Sequence, residues 1–349
     1  MKIKSETYYT FDDVLLQPEY SDISSRETIS TDVDFLGLKL RIPIISSNMD
    51  FVTGSRMANA MWQAGGMGIL HRFCPWSGQV ANFKKIQETW GPITISVGTR
   101  DIDESVRRVG EAFSYTSYLD YEDTILIVCV DVAHGHHNKV KELISEIKEF
   151  KTNKIKIIAG NVATAEGARY LVDAGADAIK VGIGPGSVCT TRIVTGIGIP
   201  QLSAIQVTAD EVKADGIPII GDGGIRNSGD IVKALAAGAT AVMLGSLLAG
   251  STECPGEVIE TGDGRKLRRY RGQSIFGVNG EKYTKEGVSG YVNEKGPVAD
   301  VLKQLIGGIK SGMSYIGAKN LEELKEKAVF IPVSGNTLAE NHPRVALAI

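Results

Sequence analysis

Eight short apolar runs recur along this chain, each closing on glycine or polar residues, and nothing else in the sequence limits the fold as strongly. They are "IPIISSNMD" (42–50), "GGMGILHRF" (65–73), "PITISVGT" (92–99) and "ILIVCVDVAHGHH" (125–137), followed by "IKIIAGNVAT" (155–164), "AIKVGIGPGSVC" (178–189), "PIIGDGGI" (218–225) and "AVMLGSLLAG" (241–250). Isoleucine and valine dominate them without alternation, which is how strands buried on both faces read. Helix-like stretches lie between most of them. "HNKVKELISEIKEF" carries apolar residues at helical spacing, and "TAEGARYLVDAGA" and "NSGDIVKALAAGA" begin at a Thr or Asn cap and end near glycine.

Eight such units with short links predict an α/β chain folded as a single (β/α)8 TIM barrel over residues 1–349, with a short N-terminal extension and a C-terminal flap and helical tail. An open doubly wound sheet is the alternative, but no G-x-G-x-x-G opens an early helix. The net charge of −3, with no long basic run, argues against a nucleic-acid partner. "MKIKSETYYTFDDV" lacks the apolar stretch of a signal peptide, and no segment is long enough to span a membrane. The four cysteines are far apart and lack C-x-x-C spacing, so reduced thiols in a cytoplasmic enzyme are expected rather than disulfides or zinc. Cys129 sits in a buried strand pattern and reads as core packing, while Cys74 and Cys254 fall in loops with no neighbouring base.

Active sites of such barrels lie where strands end at the C-terminal face. Polar residues cluster there: Asn48 and Asp50, His71 and Arg72, Asp131 and His134, Asn161, Cys189, Asp222 and Ser246. Some could simply cap or turn. "GDGGIRNSGD" (221–230) and "LGSLLAG" (244–250) follow the seventh and eighth strands, the usual phosphate position, where glycines let backbone N–H groups approach an anion. Tight turns that merely need glycine are the other reading. Asp222 is a poor phosphate ligand but a good acceptor for sugar hydroxyls, which suggests a nucleotide or sugar phosphate. In "GIGPGSVCTTR" (182–192), a glycine-rich loop costs conformational entropy to order, and it holds one thiol beside two threonines and Arg192. A nucleophilic cysteine needs positive charge, dipoles or a base nearby, and Cys189 is the candidate.

"GNVATAEGARYLVDAGADAIKVGIGPGSVCTTR", "GDGGIRNSGDIVKALAAGATAVMLGSLLAG" and "YRG" resemble the IMP dehydrogenase/GMP reductase family, and "FDDVLLQP" and "GGIKSGMSYIGAKNLEEL" extend the resemblance over almost the whole chain. The resemblance implies that Cys189 attacks C2 of the purine and forms a covalent adduct. It places Ser187, Gly224, Gly245, Ser246 and Tyr270 at the 5′-phosphate, with Gly272 and Gln273 also on the substrate, and Asp222 at the ribose. Asn48 and Met49 would lie near the base. Asp131, Ala133, His134 and Asn161 would lie beside the dinucleotide, and Glu286 would work with Thr191 or its neighbour on the purine edge. In dehydrogenase relatives, the backbone carbonyls matching Gly184, Gly186 and Cys189 hold a potassium ion. Members are commonly tetramers or octamers, so a homotetramer or octamer is expected.

The family performs two reactions through the same thiol adduct. The reductase expels ammonia from GMP and takes hydride from NADPH to give IMP. The dehydrogenase passes hydride from IMP to NAD and then hydrolyses the adduct to XMP, using an Arg-Tyr pair on a mobile flap to activate water. Here the regulatory (CBS) domain pair usually inserted after the second strand is absent. The flap (about 273–290) is short and lacks an Arg-Tyr pair, and "NMD", "HRF" and "DVAHGHHN" resemble reductases. "GDIVKALAAGA", "YRG" and "IPVSGNTLAENHP" look more like dehydrogenases. Weighting the missing base most heavily, the sequence predicts NADPH-dependent GMP reductase. IMP dehydrogenase lacking CBS domains, with NAD as cofactor, is the alternative, and a non-catalytic purine-nucleotide-binding regulator a remote third. Many reductases carry a lysine where Arg72 stands, to protonate the leaving amine. Arginine is a poor acid, so Arg72 could only orient or stabilise charge.

Overall fold

The computed structural model describes residues 1–87, 91–117, 124–273, 276–277, 280–281 and 284–341. Each of the eight apolar runs contains a parallel strand. They are β1 (Ile44–Ser46), β2 (Met67–Gly68), β3 (Ile93–Val97), β4 (Leu126–Asp131), β5 (Ile155–Val162), β6 (Ala178–Val181), β7 (Ile219–Asp222) and β8 (Ala241–Leu244). Their hydrogen-bonded order is β2-β1-β8-β7-β6-β5-β4-β3, an eight-stranded sheet nearly closed as a barrel. Around it stand α1 (Ser55–Ala64), α2 (Trp76–Gln87), α3 (Ile102–Ser117), α4 (Asn138–Lys148), α5 (Ala165–Asp173), α6 (Gln201–Val212), α7 (Ser228–Ala236) and α8 (Val298–Ile316). The expected caps are made: Thr164 accepts from the Gly167 amide at 3.0 Å and Asn227 from the Asp230 amide at 2.9 Å. His137 caps α4 in the same way, through Nδ1.

The strands are shorter than the apolar runs, and glycine ends four of them: Gly98 follows β3, Gly182 β6, Gly223 β7 and Gly245 β8. A Cβ at Gly182 would lie 2.0 Å from the Asp222 carbonyl, so the chains leaving β6 and β7 approach more closely than any side chain allows. Period-two alternation then sorts the core. Val242 and Leu244 of β8 pack outward beneath the helices, while Ala241 and Met243 face the barrel interior with Ile45, Met67, Ile127, Cys129, Ile158, Ala178 and Ile220. An antiparallel hairpin, Val33–Phe35 with Leu38–Leu40, inserts Phe35, Leu36 and Leu40 into that interior cluster. Cys129 is fully buried and its thiol is pushed up to about 12 by burial, which keeps it a packing residue.

No backbone ladder joins β2 to β3 among the described residues. Side chains bridge this seam instead. Thr94 Oγ1 donates to the Gly68 carbonyl at 2.7 Å and accepts from the Leu70 amide at 3.4 Å. Gln79 Nε2, from α2, donates to the carbonyls of His71 at 3.2 Å and Ser96 at 3.1 Å. After β8 the chain forms an antiparallel sheet of Val258–Glu260, Lys266–Arg271 and Ser289–Asn293. The predicted flap leaves the second of these strands and returns into the third. Within it Phe276–Gly277 pairs with Gly280–Glu281, and residues 274–275, 278–279 and 282–283 lie outside the described set. In the N-terminal extension, Val14–Leu16 pairs with Phe330–Pro332 of the tail.

Candidate active site

The alternation that fills the barrel with apolar side chains continues one layer toward the C-terminal mouth, where the inward positions become charged. Asp131 stands two residues past Cys129, Lys180 two past Ala178 and Asp222 two past Ile220. Lys180 is 2% exposed, and its ammonium donates to Asp131 at 3.1 Å, to Asp222 at 3.0 Å and to the Asn161 side-chain oxygen. Asn161 in turn donates to Asp222 Oδ2 at 2.9 Å and to the Gly182 carbonyl at 2.8 Å. Burial opposes the charge on Lys180, but Asp222 and Asp131 outweigh it and hold its pKa above the ordinary lysine value. Burial likewise pushes Asp131 up, and Lys180 with Arg72 brings it below the usual carboxylate range. Arg72 approaches Asp131 at 3.7 Å and lies over the Phe73 ring.

The structure thus joins three of the predicted strand-end residues, Asp131, Asn161 and Asp222, through a lysine that sequence reasoning passed over. The available signal was a lone charge inside the apolar run "AIKV". Gln201 was missed as well. It is buried at the start of α6 and donates to the Val181 carbonyl at 2.8 Å and the Asp222 carbonyl at 3.1 Å, tying the ends of β6 and β7 together. No pattern in the sequence distinguishes it.

The predicted phosphate residues also converge. The hydroxyls of Ser187 and Tyr270 lie 3.3 Å apart. A Cβ at Gly245 would sit 2.9 Å from the Tyr270 hydroxyl and 3.4 Å from the Met49 sulfur. Gly224, at φ +81°, backs onto Gln201, and the Ser246 carbonyl accepts from Lys295 at 2.7 Å. Gly272 is held by a bond from its amide to the Val288 carbonyl, and Gln273 donates to the Asn48 carbonyl. Asn48 itself donates to Ser96 across the barrel mouth at 3.1 Å. Arg271, the last residue of the Lys266–Arg271 strand, pairs with Asp50. Ala133 and His134 form an exposed ledge after β4, beside the more deeply set Asp131. Burial and the neighbouring His136 and His137 keep His134 below the ordinary histidine value.

Cys189 is partly exposed at the rim. Its thiol donates to Thr191 Oγ1 at 3.1 Å, and Thr191 Oγ1 donates to Glu286 Oε2 at 2.8 Å. The backbone reinforces this meeting: the Thr190 amide donates to the Glu286 carbonyl at 3.2 Å, and Cys189 forms an isolated bridge with Gly287. A thiol, a hydroxyl and a carboxylate in that order make a path along which a proton can leave the reacting centre. Arg192, expected to lend charge to the thiol, instead donates to the Ile199 carbonyl at 2.6 Å and packs its stem against Gly184 and Gly198. The carbonyls of Gly184, Gly186 and Cys189 are neutral hard donors, of the type that suits an alkali cation. Gly186 O also accepts from the Cys189 amide at 3.0 Å, which leaves its second lone pair for such an ion. No cluster of three or more His, Cys, Asp or Glu with metal-binding geometry occurs among the described residues.

Comparison with known proteins bears on the reaction. Residues 8–344 match the family model "IMP dehydrogenase / GMP reductase domain". The chain is 39% identical to an inosine-5'-monophosphate dehydrogenase of Cryptosporidium parvum, covering 95% of this chain and 94% of that one. It is 35% identical to the Aquifex aeolicus protein of that name (95% and 94% covered) and 34% identical to that of Methanocaldococcus jannaschii (98% and 96%). These names overturn the expectation of a GMP reductase, and with it GMP as substrate and NADPH as cofactor. The expectation rested on the missing Arg-Tyr pair of the flap; the Thr191–Glu286 pairing that the resemblance implies is made in the fold, with the carboxylate within one hydroxyl of the thiol. From the family model and from relatives of this similarity over nearly their full length, the chain belongs to the IMP dehydrogenase/GMP reductase family.

Proposed function

We propose that this chain, an oxidoreductase acting on purine nucleotides, is an IMP dehydrogenase that converts IMP, NAD and water to XMP and NADH. The Cys189–Thr191–Glu286 chain of hydrogen bonds carries the reading, because it supplies the proton path that adduct hydrolysis requires. Asp222 accepts hydrogen bonds from the ribose, and the Ser187–Tyr270 pair with the glycine turns at 224 and 245 holds the phosphate. Cys189 adds across the C2–N3 double bond of IMP, its proton ending on N3 and leaving to solvent when the hydride is lost. Bound NAD would supply the acceptor for the hydride lost from C2. The residues present fit such a dinucleotide: a buried carboxylate and amide, Asp131 and Asn161, beside the open Ala133–His134 ledge. Water then adds to C2 as the thiolate leaves, and Thr191 relays the water's proton to Glu286, from which it returns to the thiolate. A potassium ion would be held by the three loop carbonyls, steadying the cysteine loop. The chain runs from β2 through α2 into β3 without a CBS pair, and we place it in the cytoplasm, where its four free thiols stay reduced.

The test is direct. IMP with NAD is expected to yield XMP and NADH in equal amounts, and an absence of XMP overturns the reading. Glu286→Gln is expected to keep the first-turnover release of NADH while lowering steady-state turnover by about 10²-fold or more. Equal loss of both would remove Glu286 from the water step.

A further inference from the structure

Lys180 has no part in the steps above, yet it is the most enclosed charge at the mouth of the barrel. Its ammonium makes three contacts, and each goes to a residue assigned to binding: Asp131 and Asn161 on the dinucleotide side and Asp222 on the ribose. Asn161 closes the figure by donating to Asp222, so the two carboxylates are connected through both a cation and an amide. We propose that Lys180 is a positioning residue that serves as the shared counter-ion of the nucleotide and dinucleotide sites, fixing the Asp222 and Asp131 carboxylates on opposite sides of one ammonium. The inference rests on the IMP dehydrogenase reading for what the two carboxylates bind.

The geometry explains why a lysine stands here. Two carboxylates directed into one narrow barrel repel each other, and a buried carboxylate without a partner takes up a proton. A protonated Asp222 could not accept both ribose hydroxyls. The charged and titratable groups facing the ammonium are few. They are Asp131 with Cys129 beneath it on β4, and Asp222 on β7; Asn161 on β5 is uncharged. Arg72, from the loop after β2, reaches only the far side of Asp131, and Tyr270 faces Asp222. Arg72 therefore does not replace Lys180 at Asp222.

Substitution of Lys180 separates a positioning role from a merely structural one. Calorimetric binding of IMP is the readout, since it does not depend on turnover. Wild-type affinity is expected to be level between about pH 7 and 8, above the second ionisation of the IMP phosphate at about 6. In Lys180→Met the two carboxylates share a proton near neutrality, so IMP should bind about tenfold more weakly at the alkaline end and a further tenfold or so more weakly at the acid end. Lys180→Arg should restore a level profile. The double variant Lys180→Met/Asp131→Asn should also bind IMP with a level profile, because one of the two repelling charges is gone. A loss in Lys180→Met that is the same at every pH, or none at all, overturns the proposal. So does a double variant that keeps the steep profile. Should Lys180→Met fail to fold, the double variant decides. Recovery of a folded, IMP-binding protein supports the counter-ion role, and failure to recover it overturns the role. A wild-type protein that binds IMP but forms no XMP would remove the dehydrogenase reading and leave this comparison standing.

Discussion

The arc from β4 through β8 and the seam between β2 and β3 close the same barrel by different means. Along the arc, main-chain ladders join every neighbouring pair of strands, with one register shift at Asn161 between β5 and β6, so the polar layer above them is left largely for ligands. At the seam, Thr94 and Gln79 make the cross-strand bonds, and polar side chains there are consumed by holding the wall together. Ladder bonds form between any residues that become strands, whereas side-chain bridges depend on single residues. Damage should therefore divide cleanly: function without stability on the arc, stability without function at the seam.

The sharpest break is expected at the thiol. Cys189→Ala should lower turnover by roughly 10⁴-fold or more while IMP still binds, because the ribose and phosphate contacts lie elsewhere. Steady-state XMP formation near the wild-type rate would refute the covalent route. Next comes Asp222→Ala. Loss of a charged acceptor for sugar hydroxyls costs about 1.5–3 kcal/mol per hydrogen bond, read as weaker IMP affinity in a titration. Unchanged affinity would remove the ribose assignment. At the seam, Thr94→Val should cost about 1 kcal/mol in denaturant unfolding and leave IMP affinity alone. A changed affinity with unchanged stability would invert the division proposed here.

The smallest effect concerns pH. His71 lies beside the seam, and its Nδ1 accepts from the Phe73 amide at 3.2 Å. Burial holds its pKa below the ordinary 6.5. The unfolded chain therefore takes up a proton that the folded one resists. The His71 contribution is intact above about 6.5 and is lost as the pH falls through that value toward the folded pKa. The melting temperature should decline on mild acidification, and His71→Asn, which keeps an acceptor for Phe73, should flatten part of that decline. A decline identical in the variant would assign it to other groups.

All eight strands and the Thr164 and Asn227 caps were legible, because buried parallel strands and capped helices leave local patterns. The cysteine loop and the glycine turns were legible for the same reason. The seam was not, since Thr94 sits in an apolar run and Gln79 in an ordinary amphipathic helix; their partners are far along the chain. Arg192 was misread because adjacency in sequence to a thiol was taken for adjacency in space. The reaction was misjudged for another reason. The Arg-Tyr pair absent from the flap was weighted above Glu286, which stands in the same flap and meets Thr191 from 95 residues away, as the resemblance implies.

The segment between Gly272 and Val288 leaves and re-enters the structure through the same small patch. Gly272 bonds to Val288, and Val288 bonds to Val188 beside the cysteine, each at 2.9 Å. With both feet fixed, the span between them behaves as a cassette. Doubling the length of such a loop adds only about 0.6 kcal/mol of closure entropy. Spans that keep Gln273 and Glu286 could therefore be exchanged at little cost, since those two side chains meet Asn48 and Thr191 from within the segment.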